Sequence, residues 1–148
     1  MKKQVLVLDI KNDEINSLFE GLREGYSNAI PSSPHITIQG PRNKFKKSII
    51  YKAKKIIRGI SIKINDLDII EYKNLYFCIL KVNAPALEKV WDKPDFPKKI
   101  FGFNPHITLY KGDKVIAEEV KKLIKSKNKL EDLVITSKDI EVKKSIIG

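Results

Sequence analysis

The tetrapeptide Pro-His-Ile-Thr occurs twice in this chain of 148 residues, with histidines at His35 and His106, and the two copies hold its only 2 histidines. A given tetrapeptide turns up on the order of once in 10^5 windows at ordinary residue frequencies, so the recurrence constrains the fold before any helix or strand is placed. A shift of 71 positions carries His35 onto His106, Val5 onto Tyr76, and Ile62 and Ile64 onto Leu133 and Ile135. The chain therefore reads as two copies of strand, helix, Pro-His-Ile-Thr strand, helix, strand, brought together about a pseudo-twofold axis. Outside the motif the two halves share little identity, so this reading rests on pattern and register.

Val5 to Ile10 is a short apolar run that suits a buried strand. Asn12 or Asp13 can cap a helix with Ile15, Leu18, Phe19 and Leu22 at helical spacing, ending near Gly25. A loop from Ser27 to Ser33 delivers the first motif strand, which Gly40-Pro41 should stop. Lys44 to Arg58 repeats the helical pattern through Phe45, Ile49, Ile50, Ala53, Ile56 and Ile57, and Ser61 to Ile70 alternates as a strand does. In the second half, Leu75 to Val82 reads as a strand and Pro85 to Trp91 as a short helix with proline at its start. After the second motif come an amphipathic helix from Lys114 to Lys127 and last strands around Leu133, Ile135 and Ile140 to Ile147. The expectation is an α+β fold, one domain over residues 1–148 made of two lobes that follow the approximate halves 1–71 and 72–148.

Hydrophobic content of 42% with 32% charged residues belongs to a globular chain. No segment approaches the roughly 20 apolar residues that span a bilayer. The start is basic, but its apolar run ends at Asp9 with no small-residue cleavage site, unlike a signal peptide. The single cysteine, Cys78, excludes an internal disulfide and fits a reducing compartment, so a cytoplasmic protein with no membrane partner is expected. The net charge of +11 attracts phosphate-rich partners. Its lysines are spread, with one group from Lys44 to Arg58 and another from Lys121 to Lys129. Solvated helix faces and a nucleotide-attracting surface both fit that distribution.

Residues two apart on a strand share a face, so His35 and Thr37 project together while Ile36 and Ile38 go inward. His106 and Thr108 do the same, with Ile107 and Leu109 inward. Each preceding proline disfavours helical backbone at Ser33 and Asn104 and so presents the motif as strand. Two such strands facing each other supply two imidazoles and two hydroxyls. One neutral histidine can take a proton from an attacking hydroxyl or water while the other gives one to the leaving oxygen. The threonine hydroxyls can hold the non-bridging oxygens as charge builds. A phosphodiester uses all four functions, provided both rings reach solvent and converge on one phosphorus. On a single strand a His-x-Thr also has a purely structural reading, with the hydroxyl bonding across the sheet and the imidazole satisfied by a carbonyl.

Neither motif has the i, i+4 helical spacing or the nearby carboxylate of a zinc site, so no metal or cofactor is expected. Cys78 lies in an apolar run and reads as core, and no Gly-x-Ser-x-Gly is present. Beyond the motifs, Tyr110 alternates back to the His106 face, and Phe101 and Phe103 stand on the loop before it. Any of these rings could stack on a base, worth roughly 1–3 kcal/mol, or fill the core. Arg42 and Lys44 follow the first motif and Lys111 the second, each a candidate phosphate contact.

His35-Ile36-Thr37-Ile38 and His106-Ile107-Thr108-Leu109 resemble the paired motifs of the 2H phosphoesterase superfamily, two His-x-Thr/Ser sequences each followed by an apolar residue. The paired strand-helix order resembles that family over nearly the whole chain. The resemblance implies two lobes of antiparallel sheet around a central cleft and metal-independent chemistry. It implies His35 and His106 as the acid/base pair and Thr37 and Thr108 as phosphate binders, without saying which histidine is the acid. Its substrates would be 2′,3′-cyclic phosphates, 2′-5′-linked oligonucleotides, ADP-ribose cyclic phosphates or cyclic dinucleotides. Some members are called 2′-5′ RNA ligases, ligation being the reverse reaction through the same site. This chain is shorter than many of that branch, which leaves less loop for gripping long RNA. Compact forms include phage-encoded enzymes that degrade cyclic oligonucleotide signals. The expected protein is a monomeric phosphodiesterase acting on a nucleotide, a cyclic oligonucleotide or an RNA 3′ end. The rival expectations are a noncatalytic nucleotide- or RNA-binding module using the same cleft, and a purely structural duplicated domain.

Overall fold

Apolar runs bounded by turn residues set the first elements of the computed structural model, which describes residues 3–26, 30, 32–92, 94, 96–127, 130 and 133–147. Strand β1 (Lys3–Ile10) leads into α1 (Asp13–Gly25), whose first turn is closed by Asn12, its side chain accepting from the Ile15 N–H at 3.1 Å. Ile15, Leu18, Phe19 and Leu22 are the buried face of α1, as their spacing requires. The loop expected from Ser27 to Ser33 falls partly outside the described residues, as do Lys129 and part of the loop before the second motif.

Strand β2 (His35–Arg42) runs on through Gly40-Pro41 where a stop was expected. An edge strand tolerates a proline that donates nothing, and the Gly40 N–H finds the Asp92 carbonyl at 3.0 Å. Helix α2 (Lys47–Ile57) starts three residues later than its apolar pattern suggests, because Lys46 supplies no side-chain cap and Phe45 is already buried ahead of it. Strands β3 (Ser61–Tyr72) and β4 (Leu75–Asn83) form a hairpin, followed by a 3-10 turn over Pro85–Val90 and the short α3 (Lys98–Phe101). The second motif opens β5 (His106–Gly112), which is followed by α4 (Lys114–Lys127), β6 (Val134–Thr136), a 3-10 turn over Ser137–Asp139 and β7 (Ile140–Ile147).

These strands pair antiparallel, in one sheet of order β2-β1-β7 and a second of order β5-β4-β3-β6, and an isolated parallel bridge joins Gln39 to Asp92. The fold is α+β, but the sheets do not follow the halves 1–71 and 72–148. Only Lys73 and Asn74 separate β3 from β4, and so short a connection forces antiparallel neighbours. That hairpin pulls β3 into the second sheet, and β7 closes the first sheet against β1. One continuous core joins Leu6, Leu8, Ile36 and Ile38 of the first sheet to Ile62, Leu80 and Ile107 of the second. Helix α4 packs on β3, β4 and β5 and buries Ala117, Val120 and Ile124, while α2 packs on β7 and the Pro85–Val90 turn.

The inner edges of the two sheets are β2 and β5, the motif strands, and their Cα atoms come within 8 Å of one another. Each carries a bulge at the same place. Thr37 lies opposite Val7 and Gln39 opposite Leu6, leaving Ile38 unmatched. Thr108 lies opposite Ile79 and Tyr110 opposite Cys78, leaving Leu109 unmatched. A bulge breaks strict alternation by giving one strand an extra residue. Among the described residues no helix is long and apolar enough to cross a membrane.

Candidate functional site

Both motif strands are paired from their first residue. The Pro34 carbonyl accepts from the Ile10 N–H at 2.9 Å, and the Pro105 carbonyl accepts from the Val82 N–H at 3.2 Å. Ile36, Ile38, Ile107 and Leu109 are buried in the core, and the strand alternation puts His35 and Thr37, and His106 and Thr108, on the other face of their strands.

The two imidazoles are held alike. His35 Nδ1 lies 2.9 Å from the Ser33 carbonyl oxygen, and His106 Nδ1 lies 2.6 Å from the Asn104 carbonyl oxygen. A carbonyl only accepts, so Nδ1 carries the hydrogen in both rings and Nε2 holds the lone pair of the neutral form. The residues that supply these carbonyls are themselves tied down. Ser33 Oγ donates to Asp9 Oδ1 at 2.7 Å, and Asn104 Nδ2 donates to the carbonyls of Phe96 at 3.1 Å and Gly102 at 2.5 Å. Fixing the second ring nitrogen in this way orients the first for chemistry.

The groups behind the rings are charge-reversed. Asp9 sits opposite His35 in the β1–β2 ladder and pairs with Lys143 at 3.3 Å, whereas Lys81 sits opposite His106 and pairs with Asp68 at 2.9 Å. Burial works to raise the Asp68 carboxyl. Hydrogen bonds from Lys81 and the Ile69 N–H, with the charges of Lys81 and Lys121, outweigh it and hold the group below the ordinary carboxylate range.

A cavity of about 550 Å³ opens beside the motif strands, with His35, Thr108, Lys73, Lys111, Phe77 and Phe96 in its walls. No carboxylate appears among its described lining residues, and its charged groups are cationic. A neighbouring cavity of about 460 Å³ contains Asp68 and Glu71 and is the poorer place for an anion.

One residue of each motif thus reaches the larger cavity. Thr37 and His106 do not line it; they are only 4% and 3% exposed. The Phe96 ring stacks on His106 with centroids 4.7 Å apart and planes at 22°, and it is braced edge-on by Tyr72 at 5.9 Å and Phe77 at 5.0 Å. Sequence reasoning missed Phe96, because periodicity says nothing about where a proline-rich loop lays its ring. It also missed Lys73, although a two-residue connection ending in Asn was legible as a hairpin turn.

Several expected contacts go elsewhere. Tyr110 points into the core and not toward His106, because the bulge at Leu109 reverses the alternation; its hydroxyl accepts from the Asp113 N–H at 3.1 Å. The phenol packs so closely on Gly112 that a Cβ there would lie 2.8 Å from its oxygen. The same bulge turns Lys111 into the cavity, with Nζ 5.9 Å from the centroid of the Phe77 ring. Arg42 pairs with Asp92 and lies over Phe45, and Lys44 is exposed on the connection to α2, so neither lines the cavity. Phe103 packs edge-on against Trp91 at 5.1 Å and lines the smaller cavity. Cys78 is core, its thiol pushed up to about 12 by burial. Among the described residues no group of three or more His, Cys, Asp or Glu is placed to hold a metal.

No family model matches the chain, and no curated protein matches it as a relative.

Proposed function

We propose that the chain is a duplicated, metal-independent phosphodiesterase of the 2H phosphoesterase type, acting on 2′,3′-cyclic phosphate or 2′-5′ linkages of nucleotides, cyclic oligonucleotides or RNA 3′ ends. One observation carries the proposal. The chain's two imidazoles are set in the same tautomer by the carbonyl two residues before each, and His35 shares a cationic cavity with Thr108 of the other motif. In the reaction one Nε2 takes the proton of the attacking water as the P–O bond forms. The other imidazole, protonated on both nitrogens, gives its Nε2 proton to the leaving oxygen. The Thr108 hydroxyl donates to a non-bridging oxygen as charge grows on it. Ligation runs the same steps backwards. His106 is buried and stacked on Phe96, so its part in the reaction requires that substrate entry open the site around it.

The burial of His106 favours a second reading, a binding module that holds a nucleotide at His35 and Thr108 without turnover. Assays in EDTA with 2′,3′-cyclic nucleotides, 2′-5′ oligoadenylate and cyclic dinucleotides separate the two. The enzyme is expected to show a bell-shaped pH profile, and His35→Ala and His106→Ala are each expected to lower turnover by about 10^2-fold or more with the fold retained. Full activity in both variants would refute the phosphodiesterase, and binding without turnover of any substrate would establish the module.

A further inference from the structure

We infer that the larger cavity contains a second phosphate subsite, formed by Lys73 and Lys111, so that its ligand carries a phosphate beside the one held at His35 and Thr108. The inference rests on the phosphodiester reading of that cavity and names the class of substrate it takes: an oligonucleotide or a nucleoside bisphosphate in preference to a nucleotide with one phosphate.

Three observations lead there. Both ammonium groups belong to cavity-lining residues, and neither has a carboxylate partner among the described residues, whereas Arg42, Lys81 and Lys143 each do. Each lies over an aromatic ring of the same wall, Lys73 Nζ at 5.3 Å from the Tyr72 centroid and Lys111 Nζ at 5.9 Å from that of Phe77. The rings hold the ammonium groups on the wall without neutralising them, which leaves their charge for an anionic ligand.

The backbone at both positions departs from the ordinary. Lys111 faces the cavity only because of the bulge at Leu109. Lys73 sits at the first central position of the β3–β4 turn with φ 51°, followed by Asn74 at φ 63°. Turns with two positive φ angles favour Asn, Asp or Gly, and left-handed backbone disfavours a lysine because its Cβ crowds the following carbonyl. A side chain kept there against that preference projects its charge from the hairpin tip into the cavity.

The spacing suits two phosphates. Thr108 pairs with Ile79 and Lys111 with Phe77. Two residues along β4 separate these rows by roughly 6.8 Å, comparable to the step between neighbouring phosphates of a nucleotide chain.

The test is calorimetric binding of adenosine 3′,5′-bisphosphate and of AMP to the full chain, the Lys73→Gln/Lys111→Gln variant and a charge-matched Lys54→Gln/Lys55→Gln variant. The wild type and the α2 variant are expected to bind the bisphosphate at least about tenfold more tightly than AMP, and the cavity variant to lose most of that ratio. A wild type that binds both alike overturns the subsite. So does a cavity variant that keeps the ratio, or an α2 variant that loses it equally. Because no turnover is needed, a preference abolished only in the cavity variant stands even if the hydrolysis assays fail. Absence of hydrolysis would refute the enzyme alone.

Discussion

The Nδ1 atom of each imidazole in this chain faces a backbone carbonyl, and that makes the tautomer of the neutral ring open to direct measurement. Because Ser33 and Asn104 both offer a carbonyl to Nδ1, the neutral side chains are expected as the Nδ1–H tautomer with an unprotonated Nε2. A long-range ¹H–¹⁵N spectrum reads this directly, since only 2 histidines contribute. An Nε2–H tautomer in either ring would remove the base or the acid from the proposed reaction. At this scale much was legible in the sequence. Strand alternation and the flanking prolines correctly separate His35 and Thr108 from the buried Ile36 and Ile107. Alternation could not say that Phe96 covers His106, because stacking across a loop depends on the packing of residues distant in the chain.

Bulges and a turn, the features that interrupt regular elements, decide which side chains meet in the cavity. The limits of α1 and α4 follow from caps and spacing, and both were readable. The bulges at Ile38 and Leu109 were not, since each motif reads as an uninterrupted alternating strand. Missing the second one placed Tyr110 on the His106 face when it lies in the core, whereas Lys111, named as a candidate phosphate contact, does line the cavity. The β3–β4 turn yields a prediction of its own. Replacing Lys73 and Asn74 by Asn and Gly suits the positive φ angles at both positions, and it is expected to stabilise the fold by about 1 kcal/mol. Thermal unfolding checks that gain, and binding should show the bisphosphate preference reduced in the same variant. A loss of stability would mean that the Lys73 side chain supports the hairpin and is not held there against it. Such an exchange of stability for function is the pattern expected where a strained residue serves a site.

For the whole molecule, the decisive feature is that neither half of the sequence contains its own sheet. Among the described residues strand β3 pairs only with β4 and β6, and β7 only with β1. A fragment of residues 1–73 would therefore hold β3 with no hydrogen-bonding partner, and it would lack the surfaces of β7 and the Pro85–Val90 turn on which α2 packs. A fragment of residues 74–148 would leave β7 without β1 and the edge of β4 without β3. Backbone groups left unpaired in this way go back to water, and the shared core that joins both sheets is split. Each fragment alone is expected to be largely unfolded by far-ultraviolet circular dichroism, and an equimolar mixture to regain the spectrum of the intact chain. The intact chain should unfold in a single transition that coincides in dichroism and in the fluorescence of Trp91. A fragment that folds cooperatively by itself would show that the sheets are independent units. The junction of β2 with β5, the two motif strands, would then be a contact between two domains and not the interior of one.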